Sequence, residues 1–193
     1  MLRRLLLILA VFCCVPASSA LAAGGNYGFE GGTPRQQAQV RSALATSSFD
    51  FRIVPQRVTV HIGGFGVSHS TPGHVWLDGG LLDAGQFSWP TVMDEFAHQV
   101  DFFVLDAPRR AILKERLGAT TWCYEAGDLN HVAQGCERFS SMLAWAYWPS
   151  KDNVYRPTAA TDETAAMTPA DFRALLGDLI GAPRALAAAA KRR

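Results

Sequence analysis

The chain has few charged residues and almost no excess of either sign. Only 18% of its 193 residues are charged, and 18 Lys and Arg stand against 17 Asp and Glu, which gives a formal net charge of +1. No basic stripe is present, and nucleic-acid binding depends on such a stripe, so we expect no nucleic-acid partner. Beyond residue 23 the sequence has no long apolar run and no internal repeat, so neither a membrane span of the mature chain nor a solenoid is predicted.

Cysteine is also scarce. Of the four cysteines, Cys13 and Cys14 lie in the first apolar segment, which leaves Cys123 and Cys136 for the rest of the chain. In an oxidising compartment such a pair favours a disulfide that closes a short loop. The alternative is a pair of zinc thiolates, but a single pair at this wide spacing is a poor match to structural zinc sites.

The first 23 residues have the features of a secretory signal. Arg3 and Arg4 precede an apolar core at 5–15 that is short for a membrane span, and Ala20-Leu21-Ala22 is a small-x-small cleavage pattern. An uncleaved anchor is the alternative. We expect cleavage, export to the cell envelope, periplasm or exterior, and no membrane attachment afterwards. Residues 24–193 are then enough for one domain with a sizeable core.

Caps and hydrophobic periodicity predict the order helix, two strands, then mostly helices. The Thr33-Pro34 and Thr168-Pro169 pairs are typical helix starts. The expected elements are helices at 34–46, 90–104, 108–117, 137–148 and 169–180, and strands at 57–62 and 74–77, with flexible ends at 24–32 and 184–193. This order predicts a single α+β domain, a small sheet followed by a mostly helical part.

The most informative pattern lies on the helix at 90–104. Asp94 and His98 are four residues apart and share a helix face, and Glu95 lies beside them. In the H-E-x-x-H pattern of zinc proteases, two histidines at this spacing bind the metal and the glutamate is the general base. Here Asp94 stands at the first ligand position. The spacing alone leaves open a simpler interpretation, a solvated acidic helix face with a hydrogen-bonded histidine.

The segment Asp94-Glu95-Phe96-Ala97-His98-Gln99-Val100-Asp101 resembles the H-E-F-G-H-x-x-D helix of gluzincin-type zinc peptidases, including the anthrax lethal factor-like group. Glu137-Arg138-Phe139-Ser140-Ser141 resembles the downstream helix that supplies their third metal ligand. Residues 58–77 are similar to their substrate-side edge strand and its lead-out. The resemblance covers about residues 57–148. It implies a zincin-like fold whose active-site helix is the one at 90–104.

The resemblance also implies a role for each matching residue. Asp94, His98 and Glu137 would be the ligands of Zn²⁺, and Glu95 would be the catalytic base. His131 would donate to the oxyanion of an intermediate or replace a missing ligand, and an exposed loop histidine is the equal alternative. Two carboxylates and one imidazole form a harder set of metal ligands than two imidazoles and one carboxylate. We therefore expect the site to bind zinc weakly or to bind another divalent ion instead.

Three functions follow, in order of preference. The first is a metal-dependent peptidase that acts on a peptide or protein substrate. The second is an inactive zincin-fold protein that binds a peptide or partner protein by strand addition along an edge strand at 57–62. The third is a small structural domain whose acidic helix face is solvated. For Asp101, a supporting role near the metal and a structural role, as a salt bridge or a cap for a neighbouring loop, remain equal alternatives.

Overall fold

The computed structural model describes residues 24–123 and 130–190, with side chains described as far as residue 181. The predicted signal segment 1–23 lies outside the described residues. The described residues form a single α+β domain, which confirms the predicted fold class at that level. The strands are β1 (Tyr27–Gly31), β2 (Val58–Gly63), β3 (His69–Thr71) and β4 (His74–Asp78), and the helices are α1 (Pro34–Thr46), α2 (Gly79–Asp83), α3 (Trp89–Val104), α4 (Ala107–Arg116), α5 (Gly135–Tyr147) and α6 (Pro169–Ala190).

The sheet has the strand order β1-β2-β4-β3. β2 pairs in parallel with β1 and with β4, and the short β3 pairs antiparallel with β4. The prediction of an edge strand at 57–62 is therefore wrong, because Tyr27–Gly31 pairs with one side of that strand. The segment 24–32, predicted to be a flexible lead-in, contributes this extra strand. Among the described strands, the edges are β1 and β3.

One face of the sheet is apolar and the other is polar. Along β2, Val58, Val60 and Ile62 are buried, and the residues between them are partly exposed, as the alternating sequence predicts. On the outer face, the rings of His61 and Trp76 stack with centroids 4.8 Å apart. The inner face packs against helices, so the sheet forms one wall of the core and its outer face meets solvent.

Helix α3 runs through the centre of the domain. Pro90 stands in its first turn, and every residue from Val92 to Asp101 is buried. A helix buried on all sides lies between other elements rather than on the surface. Here α5 covers one side, and α1 and β3 cover the others. The polar residues of α3 are therefore enclosed.

Helices α1, α4 and α5 begin and end near the predicted positions. Helix α1 is capped by Thr33, whose hydroxyl accepts from Gln36 N–H while the Gln36 side chain accepts from Thr33 N–H. Gly118, with φ +68°, follows the end of α4. Helix α6 continues to Ala190, past the predicted end at 180 and into the segment 184–193 that was predicted to be flexible. In the part of the chain described, no helix has both the length and the apolarity needed to span a bilayer.

Candidate metal and catalytic site

The three motif residues of α3 are enclosed in the domain. Asp94, Glu95 and His98 are exposed by only 6%, 6% and 8%. The interpretation of this helix face as solvated acidic surface is therefore wrong. Burial penalises charge, so a titratable group at this depth either has charged or hydrogen-bonding partners or takes its neutral form.

Packing of α5 on α3 brings His98 and Glu137 together. The His98 Nε2 atom lies 3.5 Å from Glu137 Oε2, and their side chains are exposed by 10% and 20%. Both side chains therefore keep some contact with solvent. Of the three residues that the resemblance assigns to one metal ion, His98 and Glu137 therefore lie close to each other.

His131 joins this pair to a further carboxylate. Its Nε2 lies 2.8 Å from Glu137 Oε2, and its Nδ1 lies 2.8 Å from Glu163 Oε2. Glu163 belongs to the connection between α5 and α6, and the sequence gives no local pattern that marks it. Its place in the site depends on how that connection folds back over α5.

Asp94 faces a different set of partners from those of His98. The Ser141 hydroxyl lies 3.3 Å from Asp94 Oδ1 and 2.8 Å from Glu163 Oε1, and the Tyr155 hydroxyl also hydrogen-bonds to Asp94. Burial, together with the nearby charges of Glu137 and Glu163, raises the pKa of Asp94 to about 6. The Ser141 hydroxyl has only one proton, so it can donate to Asp94 or to Glu163 but not to both. When it donates to Glu163, a protonated Asp94 can donate to the Ser141 oxygen.

Glu95 is held by the β3 strand. The Ser70 hydroxyl lies 2.7 Å from Glu95 Oε2 and 2.9 Å from the Glu95 carbonyl oxygen. Burial, followed by repulsion from Asp94, raises the pKa of Glu95 to about 7. A carboxyl group with this pKa can take up and release a proton near neutral pH.

Gln99, which is fully buried, positions the turn that precedes β4. Its side-chain oxygen accepts from Gly73 N–H, and its amide group donates to the carbonyl oxygens of Thr71 and His74. These three bonds fix the β3–β4 turn on α3. The position of Ser70 against Glu95 follows from this attachment.

The contacts among the two imidazoles and Glu137 favour the charged forms of all three groups. Burial by itself would lower the pKa of His98, but the hydrogen bond to Glu137 and the charges of Asp94 and Glu95 raise it to about 9. Hydrogen bonds to Glu137 and Glu163 raise the pKa of His131 to about 10. Burial opposes ionisation of Glu137, yet its contacts with the two imidazoles hold the pKa of Glu137 well below the ordinary range.

Asp101 forms a buried ion pair away from this group. Its Oδ1 accepts from Arg110 Nε at 2.7 Å and its Oδ2 accepts from Trp122 Nε1 at 3.2 Å, while its side chain is fully buried. Of the two predicted roles, these contacts match the salt bridge. The pair joins α3 to α4 and to the segment before the disulfide.

Cys123 and Cys136 lie at disulfide distance, with their Cα atoms 5.5 Å apart, which confirms the predicted pairing. The bond lies beside the site, because the Cys136 Sγ atom is 3.3 Å from Glu137 Oε1.

Within the described residues, one group of side chains could share a metal ion. One ligand atom each from His98, Cys136 and Glu137 lies within 4.8 Å of the others, and Asp94 is not part of this group. His98 and Glu137 supply a nitrogen and an oxygen, which suit a divalent cation. Asp94 is adjacent but engaged with Ser141 and Tyr155.

A cavity of about 450 Å³ opens beside the site. Its lining includes His131, Tyr155 and Glu163 together with Arg156 and Asp162 from the same connection. This volume falls within the range of small ligand pockets. A bound molecule in the cavity would touch three residues that contact the site.

Comparisons with family models, with curated proteins and with solved structures find no match to this chain.

Proposed function

We propose that the protein is an exported, zincin-like, metal-dependent peptidase with a variant D-E-x-x-H…E site. The observation that carries this proposal is the approach of His98 to Glu137 across two helices, with Glu95 on the same helix as His98. A nitrogen donor, an oxygen donor and a neighbouring carboxyl group of raised pKa are groups that metal-assisted hydrolysis uses, and Asp94 would supply a third ligand.

The charge balance of the site favours a cation. Four carboxyl groups, those of Asp94, Glu95, Glu137 and Glu163, lie in or beside the site, and among the described residues their ion pairs are with the imidazoles of His98 and His131. With all six groups ionised the site would be net negative, and burial makes that state costly. In the absence of a cation, protons on Asp94 and Glu95 reduce the charge, as the raised pKa values of both groups indicate. A divalent cation would replace those protons.

His98 and Glu137 would hold the ion, and Asp94 would complete the set by turning away from Ser141 and Tyr155. The donor set of one imidazole and two carboxylates is hard, so it accepts zinc weakly and admits other divalent ions. When bound, the ion would supply Lewis acidity, which polarises a carbonyl group and makes water a stronger acid.

The protein's own groups would position the substrate and move its proton. The Glu95 carboxylate would accept the proton of the attacking water at Oε2, where Ser70 now donates. The exposed His131 imidazole would donate to a developing oxyanion in place of its contact with Glu137. An extended peptide would add to the free side of β3, and Ser70 connects that strand to Glu95.

The alternative is an inactive zincin-fold protein that binds a peptide or partner. One observation favours it: Asp94 has hydrogen-bond partners in Ser141 and Tyr155 and needs no metal to be satisfied. Strand addition would then use β3, since β2 is an interior strand.

Metal binding and cleavage of a mixed peptide library by the purified protein would test the proposal. We expect one divalent ion per chain and cleavage that a chelator abolishes. Glu95→Gln should lower the cleavage rate by roughly 10²–10⁴-fold and leave metal binding largely intact. His98→Ala should weaken both, and His74→Ala, which removes an exposed imidazole from the outer sheet face, should change neither. Absence of metal binding together with absence of cleavage would contradict the proposal.

A further inference from the structure

The disulfide lies directly against the two strongest metal-ligand candidates. Cys136 precedes Glu137 in α5, and its Sγ lies 3.3 Å from Glu137 Oε1. Glu137 Oε2 in turn lies 3.5 Å from His98 Nε2. A sulfur, an oxygen and a nitrogen from three residues therefore converge, and none of the chosen ligand atoms is more than 4.8 Å from another.

Two of these separations, which involve different oxygens of Glu137, suit a tetrahedral zinc ion. Zinc binds nitrogen and oxygen at about 2.0–2.2 Å and sulfur at about 2.3 Å, so two donors on one tetrahedral ion lie roughly 3.3–3.6 Å apart. The measured sulfur–oxygen and nitrogen–oxygen distances, 3.3 Å and 3.5 Å, fall in that range. Only small movements of the Glu137 side chain would bring one of its oxygens within reach of both neighbours.

The disulfide withholds the sulfur, because the thiolate and not the disulfide is the metal ligand. We propose that reduction of the Cys123–Cys136 bond makes Cys136 a metal ligand and forms, with His98 and Glu137, a zinc site of one sulfur, one nitrogen and one oxygen. This inference shares His98 and Glu137 with the proposed function and in that respect rests on it. It requires no contribution from Asp94.

The chemistry of the change is a thiol–disulfide exchange. A dithiol reductant forms its own S–S bond, the Cys123–Cys136 bond breaks, and the two electrons and two protons from the reductant leave both cysteines as thiols. A divalent cation then displaces the Cys136 proton into solvent. Cys136 is only 1% exposed, so an isolated thiolate there is unfavourable and loss of its proton is coupled to metal binding.

The redox state of the pair would therefore select the metal. In the oxidised protein, the donors are an imidazole and carboxylates, a hard set with a weak preference for zinc. In the reduced protein, a thiolate joins them, and soft sulfur favours zinc over magnesium, calcium or manganese. We expect zinc affinity to rise at least about tenfold on reduction.

Two single variants test the sulfur directly. Cys123→Ser and Cys136→Ser both remove the disulfide, but only Cys123→Ser keeps a thiol at position 136. Co²⁺ is the probe, because a thiolate–cobalt bond gives a charge-transfer absorption band that nitrogen and oxygen ligands do not give. We expect this band in Cys123→Ser and not in Cys136→Ser, and we expect His98→Ala added to Cys123→Ser to weaken cobalt binding at least about tenfold.

Wild-type protein provides a measurement that does not depend on the folding of the variants. After reduction with dithiothreitol and anaerobic removal of the reductant, it should show the same band, and the oxidised protein should show none. Absence of the band in both Cys123→Ser and the reduced wild type, or an equal band in Cys136→Ser, would overturn the inference. Chelator-sensitive cleavage by the oxidised protein without any thiolate band would leave the peptidase standing. A thiolate band from a protein that never cleaves peptides would support the redox-dependent metal site and contradict the peptidase proposal.

Discussion

The Asp94 carboxyl group lies 3.3 Å from the Ser141 hydroxyl, across the contact between α3 and α5. Asp94 stands where the resembling helices have their first histidine ligand, yet its side chain points toward Ser141 and Tyr155 rather than into the group formed by His98 and Glu137. Whether this position serves the metal or the packing of α5 can therefore be decided by substitution.

Asp94→His should raise zinc affinity at least about tenfold, because a longer imidazole can reach past Ser141 toward the ion and replaces a harder ligand. Competition with a chromophoric zinc chelator measures this change in oxidised protein. Asp94→Asn is the matched control, since it keeps the size of the side chain and removes its charge, and we expect it to weaken binding. Equal zinc affinities for all three proteins would show that positions 94, 98 and 137 do not share one ion.

The raised pKa of Glu95 predicts how the stability of the metal-free protein depends on pH. The pKa of this group rises from an ordinary 4.5 to about 7 in the folded protein. Between these two values the unfolded chain has lost the proton and the folded chain still holds it. The unfolded state therefore binds fewer protons, and the free energy of unfolding falls as pH rises through this window, by up to about 3 kcal/mol from this group.

Glu95→Gln should reduce that fall, because glutamine keeps the shape of the protonated side chain and does not ionise. Urea unfolding at pH 5 and pH 7.5, in the presence of a chelator, gives the comparison. Glu115→Gln, at an exposed position of α4, is the control and should follow the wild type. If Glu95→Gln keeps the full pH dependence of the wild type, Glu95 titrates in the folded protein as an ordinary glutamate.

The features that could be predicted from the sequence depend on neighbouring residues. The Thr33-Pro34 start of α1, the alternation in β2 and the shared face of Asp94 and His98 each follow from a short segment with a fixed period. The disulfide was predictable because only two cysteines remain beyond residue 23. In all these cases the determining residues are close in sequence or the choices are few.

The features that the sequence did not predict depend on distant segments. The strand Tyr27–Gly31 contains two glycines and forms because β2 offers it a parallel edge, which no local pattern encodes. Ser70 and Glu163 enter the site only through the folding of β3 and of the α5–α6 connection over the central helices. Helix α6 extends past 180 into the alanine-rich segment, whose strong helix propensity outweighs the fraying expected near a chain end.

Gln99→Leu should destabilise the protein by about 2–4 kcal/mol. The substitution keeps a side chain of similar size but leaves Gly73 N–H and the carbonyl oxygens of Thr71 and His74 without their buried partner. Chemical unfolding measures the loss, and Gln56→Leu at an exposed position should change stability by less than about 0.5 kcal/mol. Limited proteolysis should also become faster within the β3–β4 turn. A Gln99→Leu protein as stable as the Gln56→Leu protein would mean that the turn is held by other contacts.

Arg110→Met should cost about 3–5 kcal/mol, because it keeps most of the apolar stem and leaves the fully buried Asp101 carboxylate with Trp122 as its remaining partner. The comparison is Arg35→Met, which breaks an ion pair whose side chains are 71% and 45% exposed and should cost at most about 1 kcal/mol. Adding Asp101→Asn to Arg110→Met removes the unpaired charge, so part of the lost stability should return. If the double variant is less stable than Arg110→Met alone, the main cost of losing Arg110 lies in packing and not in the stranded carboxylate.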